Sequence, residues 1–176
     1  MKKVKVTFTA LSVITAGLAS AQSPILAPFS PTIGETFNTI PLGSSPSFVG
    51  YAGAGAFSRL NLTGLLLVTN TIVPPISGNA MFGRGTNVRI RYQQVWKQWG
   101  GHFRVPNAGI AVTAMGVRFY RAGLPVGVGV FAPINNTSWQ WRGWDLGSIG
   151  GYDEVRIYGN VAASPGYVGM ENLRSR

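Results

Sequence analysis

Residues 110–131 read IAVTAMGVRFYRAGLPVGVGVF and residues 152–158 read YDEVRIY. In both, β-branched and aromatic residues run in short extended blocks, and Ala122-Gly123 punctuates the first as a hairpin turn does. Five strands are expected here, over 110–120, 126–131, 138–144, 154–158 and 167–173. The turn-formers between them lie at 122–123, 133–136, 147–151 and 160–166. Short strands at this spacing, with no sustained 3.6-residue period after residue 21, indicate an all-β chain. The expected architecture is an antiparallel β-sandwich of jelly-roll type.

Working back from that region, residues 88–92 alternate apolar with Arg, which puts Val88, Ile90 and Tyr92 inside and Arg89 and Arg91 outside a half-buried strand. Residues 35–40 and 47–51 read as short strands and 50–55 as a Gly/Ala loop. The apolar run at 60–70 fits a buried strand better than a helix because Thr63, Gly64, Thr69 and Asn70 flank it. Prolines 24, 28 and 31 make 22–32 an extended leader, and 33–176 then forms a single sandwich domain.

The first residues carry an address. Lys2, Lys3 and Lys5 precede an apolar stretch from 11 to 18 and the small residues Ala19-Ser20-Ala21, the three zones of a secretory signal peptide. The exported chain is expected to start at Gln22 and to carry no transmembrane anchor. Without those lysines the formal charge falls from +10 to +7, and eleven of the twelve remaining cations are Arg. There is no Cys, so no disulfide supports the fold.

The segments Glu35-Thr36-Phe37-Asn38-Thr39-Ile40-Pro41, Met115-Gly116-Val117-Arg118-Phe119, Tyr152-Asp153-Glu154-Val155-Arg156-Ile157 and Tyr167-Val168-Gly169-Met170-Glu171-Asn172-Leu173 together resemble a known family. They are similar to jelly-roll domains of exported bacterial proteins of the PEP-CTERM-associated, galactose-binding-like type. The resemblance implies a carbohydrate-binding module. The family's Pro-Glu-Pro sorting tail has no counterpart before Arg176, and Glu171 stands where the family places Asp. It also implies a structural calcium ion on Glu35, Glu171 and Asn172, whose hard oxygens suit that cation.

Catalysis finds little support. Five carboxylates are present, Glu35, Asp145, Asp153, Glu154 and Glu171, and adjacent Asp153 and Glu154 point to opposite faces of a strand. His102 is the only histidine, which excludes a multi-His zinc site, and with Gly100-Gly101 before it a solvent-exposed loop position is expected. Aromatic rings beside cations point instead to binding. Trp96, Trp99 and Trp144 are expected as a sugar-stacking surface with Arg104 as hydrogen-bond donor, whereas alternation assigns Trp139 and Trp141 to the core.

Arg89, Arg91, Arg118, and Arg142 or Arg156 line one outer face if the strands pair as a meander. The expected partner is a polysaccharide or envelope glycan, including acidic ones, and the exported address disfavours nucleic acid. An alternative is a self-assembling surface subunit, a homo-oligomer in which residues 22–31 reach a neighbouring copy. An enzyme with an unrecognised site is the third reading.

Overall fold

The structure is a computed structural model that describes residues 22–38, 42, 48–51, 55–59, 65–69, 76, 79–84, 88–104, 115–132, 134, 137–159 and 167–176. The expected signal segment lies outside them. Among the described residues thirteen strands, numbered in chain order, form two antiparallel sheets, and a short 3-10 turn at Gly147–Ile149 is the one helical element.

The seven-stranded sheet contains β1 (Ser23–Pro24), β2 (Ile33–Glu35), β5 (Leu65–Thr69), β6 (Ala80–Arg84), β8 (Gln98–Arg104), β11 (Gln140–Asp145) and β13 (Tyr167–Ser175). Its order is β1-β11-β8-β13-β6-β5, with β2 paired to the C-terminal half of β13. The second sheet contains β3 (Phe48–Tyr51), β4 (Gly55–Arg59), β7 (Val88–Trp96), β9 (Met115–Arg121), β10 (Leu124–Ala132) and β12 (Tyr152–Gly159). Its order is β10-β9-β12-β7-β4-β3.

The sandwich fold follows from alternation. In β7, Val88, Ile90 and Tyr92 are buried while Arg91 and Gln93 face solvent, and Val117 and Phe119 of β9 and Val155 and Ile157 of β12 continue the same inner layer. Ala122 and Gly123, with φ of 50° and 81°, close the β9–β10 hairpin with two left-handed residues, the twist that two-residue hairpins require. The Ala122 N–H donates to Asp153 Oδ2 at 2.8 Å, which ties that turn to β12.

Lys97 is the only residue between β7 and β8, so the chain passes there from one sheet to the other. Trp96 and Trp99 consequently enter the interior from opposite layers. Trp99 is fully buried and stacks on Trp144 (centroids 5.7 Å apart, planes at 19°), and Phe119 meets both rings edge-on. At one end of this core the Tyr152 hydroxyl donates to the Gln98 carbonyl at 3.0 Å and lies 3.0 Å from Ser175 Oγ, which donates to Tyr92. Buried hydroxyls there have hydrogen-bond partners, as burial demands.

Two expectations change. Residues 98–104, with their Gly-Gly pair, form strand β8 rather than a loop. The segment 22–31, expected to precede the fold, lies on its own sheet: Ser23 and Pro24 pair with Asp145 and Trp144, the Ile25 N–H donates to the Gly143 carbonyl, and the Thr32 N–H to that of Ser175.

Candidate functional site

Three of the four residues expected to bind a glycan are core residues. Trp96, Trp99 and Trp144 are 6%, 0% and 6% exposed, so none presents a ring face to a ligand. The physical reason is strand parity: Trp144 pairs with Trp99 across β11 and β8, and both point inward with Phe103. Arg104, the fourth, is half-buried and shares the outward parity of His102 on β8.

The ring that the sequence placed in the core is on the outside. Trp141 pairs with His102, and its face continues through the pair Gly143–Gly100. A Cβ on Gly100 would lie 2.6 Å from Trp141 Cζ2, and one on Gly143 would lie 3.1 Å from the same atom. The indole thus lies down over two glycines that leave it room. The ring is half-buried, with the Arg174 guanidinium over it.

Its borders are built by the N-terminal segment and β13. Trp141 Nε1 donates to the Ile25 carbonyl at 2.9 Å, and the Phe29 ring stands at 82° to the indole, centroids 5.7 Å apart. The Arg174 guanidinium lies 5.8 Å from the indole centroid and donates to the Phe29 carbonyl at 2.6 Å. The His102 ring meets the indole edge at 5.4 Å. Among the described residues His102 Nδ1 is buried without a hydrogen-bond partner. Burial, and then the charge of Arg174, lowers the His102 pKa from its ordinary value, so the imidazole is neutral at neutral pH. His102 is therefore a half-buried strand residue and not the solvent-titrating loop residue expected.

Trp139, the other ring assigned to the core, is half-buried just before β11 and packs on Ala80. The outward glycines at i+2 of Trp141 and on the facing strand were the available signal: glycine inside a strand marks a place where something lies close to the backbone.

The expected calcium ligands do come to one corner. Glu35 pairs with Leu173, two residues from Glu171, and the two carboxylates are 5% and 0% exposed. Their oxygens already accept hydrogen bonds, however. Glu35 Oε1 takes the Phe37 N–H at 2.5 Å, Glu171 Oε2 takes the Ile76 N–H at 2.7 Å, and Asn172 turns its amide nitrogen, not its oxygen, to Glu171 Oε1. No group of three or more acidic or imidazole side chains able to hold a metal occurs among the described residues. This corner fits a hydrogen-bonded clasp between β2, β13 and residue 76 better than a calcium cage.

The other carboxylates are likewise bound into the framework. Asp145 accepts from Gln98 Nε2 and the Gly147 N–H, Asp153 from the Ala122 N–H, and Glu154 from arginines. No helix among the described residues is long and apolar enough to cross a membrane.

No family model and no curated protein matches the sequence. Solved structures do match in shape. The K2 cleaved adhesin domain of Lys-gingipain superposes with a TM-score of 0.59 at 13% identity, over 81% of this chain and 98% of that domain. The CBM22-1 xylan-binding domain of Paenibacillus barcinonensis Xyn10C gives 0.54 at 12% identity, over 85% of this chain and 97% of that one. A carbohydrate-binding module of the β-sandwich superfamily gives 0.51 at 10% identity, over 83% and 61%. At such identities the likeness is one of fold: the chain is an antiparallel β-sandwich shared with carbohydrate-binding modules and an adhesin domain.

Proposed function

We propose that this is an exported, non-catalytic glycan-binding protein that holds a sugar ring on Trp141. The observation that carries the reading is the indole laid over Gly100 and Gly143, with Phe29, His102 and Arg174 around it. A flat ring of this kind stacks on the C–H face of a pyranose, and neighbouring guanidinium and imidazole nitrogens donate to or accept from its hydroxyls. Carbohydrate-binding modules and an adhesin domain of the same fold support the choice of ligand class. Kinship with the PEP-CTERM-associated jelly rolls belongs to this proposal, as does export after Ala21. The framework roles of all five carboxylates favour binding over hydrolysis.

A glycan array followed by affinity electrophoresis in neutral polysaccharide gels tests the reading. Trp141→Ala is expected to abolish retardation while keeping the melting transition cooperative, and Trp139→Ala to retain it. Retardation unchanged by Trp141→Ala excludes the platform. Mass spectrometry of the exported protein is expected to find Gln22 at the N-terminus, and intact Met1 there contradicts export by cleavage.

A further inference from the structure

The outer face of the other sheet is unlike the Trp141 patch and lies on the opposite side of the sandwich. The pairing of β7, β12 and β9 places Arg89, Arg156 and Arg118 side by side in one cross-strand row, and Arg91, Glu154 and Tyr120 in the next. Neighbouring strands are about 4.8 Å apart, so these groups form one continuous patch. Arg156 is thus the member of the expected alternative that joins the row, whereas Arg142 lies in the other sheet.

Three of the four guanidinium groups there meet one carboxylate. Glu154, 4% exposed, is contacted by Arg89 at 3.2 Å, Arg91 at 2.9 Å and Arg156 at 2.5 Å. Burial raises its pKa, but hydrogen bonds from Arg156 and Arg91 and the charge of Arg89 outweigh that, and the carboxyl is held below its ordinary value. Glu154 therefore remains charged and fixes the surrounding cations in place. One negative charge against four positive leaves a net charge of +3, and Arg91 and Arg118 still reach solvent, Arg91 with a side chain 62% exposed.

Arginines that merely keep a surface soluble are loose. These are held by a buried anion and by tyrosines: the Arg156 guanidinium lies 3.7 Å above the Tyr120 ring, and Tyr120 accepts hydrogen bonds from Tyr158 and Arg118. Guanidinium groups fixed in this way lose less conformational freedom on gripping an anion.

We propose that this face is a second binding site, independent of Trp141, for an anionic polysaccharide whose carboxylate or sulfate groups are gripped by Arg91 and Arg118. Charge complementarity selects a polyanion, and the state of the aromatic rings selects among polyanions. Single-stranded nucleic acid is held by bases stacking on free aromatic faces. Here the Tyr120 ring is covered by Arg156 and only 6% exposed, so the ring at the centre of the arginine rows is not free to stack on a base. With Trp141 on the opposite face, the protein would join two glycan chains.

The test is binding of the full exported chain to polygalacturonate, dextran sulfate, neutral dextran and duplex DNA across a salt series. Wild type is expected to bind both anionic polysaccharides with affinity that falls as salt rises. The Arg91→Ala/Arg118→Ala variant is expected to lose at least about tenfold at low salt, with the slope of log affinity against log salt reduced by about two, one per lost contact. Its thermal transition should stay cooperative, because Arg89 and Arg156 still pair with Glu154 when Arg91 is gone, and the double lysine variant should recover part of the binding. Trp141→Ala should bind the polyanions as wild type does, so failure of the platform leaves this site standing. Salt-independent binding, a double alanine variant equal to wild type, or duplex DNA bound more tightly than either polysaccharide overturns the proposal.

Discussion

Replacing Gly100 by Ala tests the geometry on which the glycan platform depends. The new methyl would sit 2.6 and 2.8 Å from Cζ2 and Cη2 of Trp141 and 2.8 Å from the Arg142 carbonyl oxygen. That carbonyl belongs to β11, which is paired with β8, so the indole must lift and the β11–β8 backbone must also give by a few tenths of an ångström. Overpacking of this kind costs about 1–3 kcal/mol. Lifting the ring also strains or breaks the hydrogen bond from Trp141 Nε1 to Ile25, worth about 0.5–1.5 kcal/mol. The smaller entropy of an unfolded Ala chain returns about 0.4–1 kcal/mol.

A net loss of about 2 kcal/mol is expected, a fall of about 4–8 °C in melting temperature for a domain of this size. Urea denaturation followed by circular dichroism measures the first quantity, and the Trp141 indole N–H resonance with neutral-glycan affinity measures the second effect, displacement of the ring. Gly34→Ala is the control. Its Cβ would meet Leu173 O at 3.4 Å and Pro31 at 3.6 Å, ordinary contacts, and stability should stay within about 1 kcal/mol of wild type. A Gly100→Ala protein with wild-type stability, indole resonance and glycan affinity would refute the claim that the ring rests on Gly100.

Trp99→Ala should cost about 3–5 kcal/mol in denaturant unfolding, and Trp99→Ala/Trp144→Ala less than the sum of the single losses because the two rings stack on each other. A stable Trp99→Ala protein that has lost glycan binding alone would put that ring back in a binding site. The lowered pKa of His102 means that the unfolded chain takes up a proton near pH 6.5 before the folded one does. Stability is therefore complete above about pH 6.5 and declines below it by at most about 1.4 kcal/mol per pH unit until the folded imidazole titrates. His102→Asn should flatten melting temperature against pH between about 7 and 5, and an unchanged profile would remove His102 as the cause. Scanning calorimetry is expected to give the same melting temperature in EDTA and in millimolar calcium, since N–H donors already occupy oxygens of Glu35 and Glu171. A calcium-dependent rise that Glu171→Gln abolishes would restore the ion.

Strand identity was legible where period-two alternation was clean. The β7 inner and outer faces follow from Val88, Arg89, Ile90, Arg91 and Tyr92, and the hairpin at Ala122-Gly123 from its turn residues. Strand β8 was hidden because Gly100-Gly101 reads as a loop. In the fold each glycine clears space for a different neighbour, Trp141 on the outside and Leu173 on the inside. The tryptophans were misassigned because parity depends on where pairing begins. Trp139 precedes β11, so the 139/141 spacing carried no information about the core, while Trp144 reaches it by pairing with Trp99. Those partners are more than forty residues apart in sequence, and local pattern does not contain them.

The placement of β13 bears on when folding can occur. Its nine residues, Tyr167–Ser175, lie between β8 and β6 and also carry β2, so they join parts of the seven-stranded sheet that otherwise have no common strand. A nascent chain that has not yet released them holds β1-β11-β8, β6-β5 and β2 as three unjoined parts of that sheet. Completion of the sandwich must then follow synthesis of this segment, with the slow kinetics of long-range pairing.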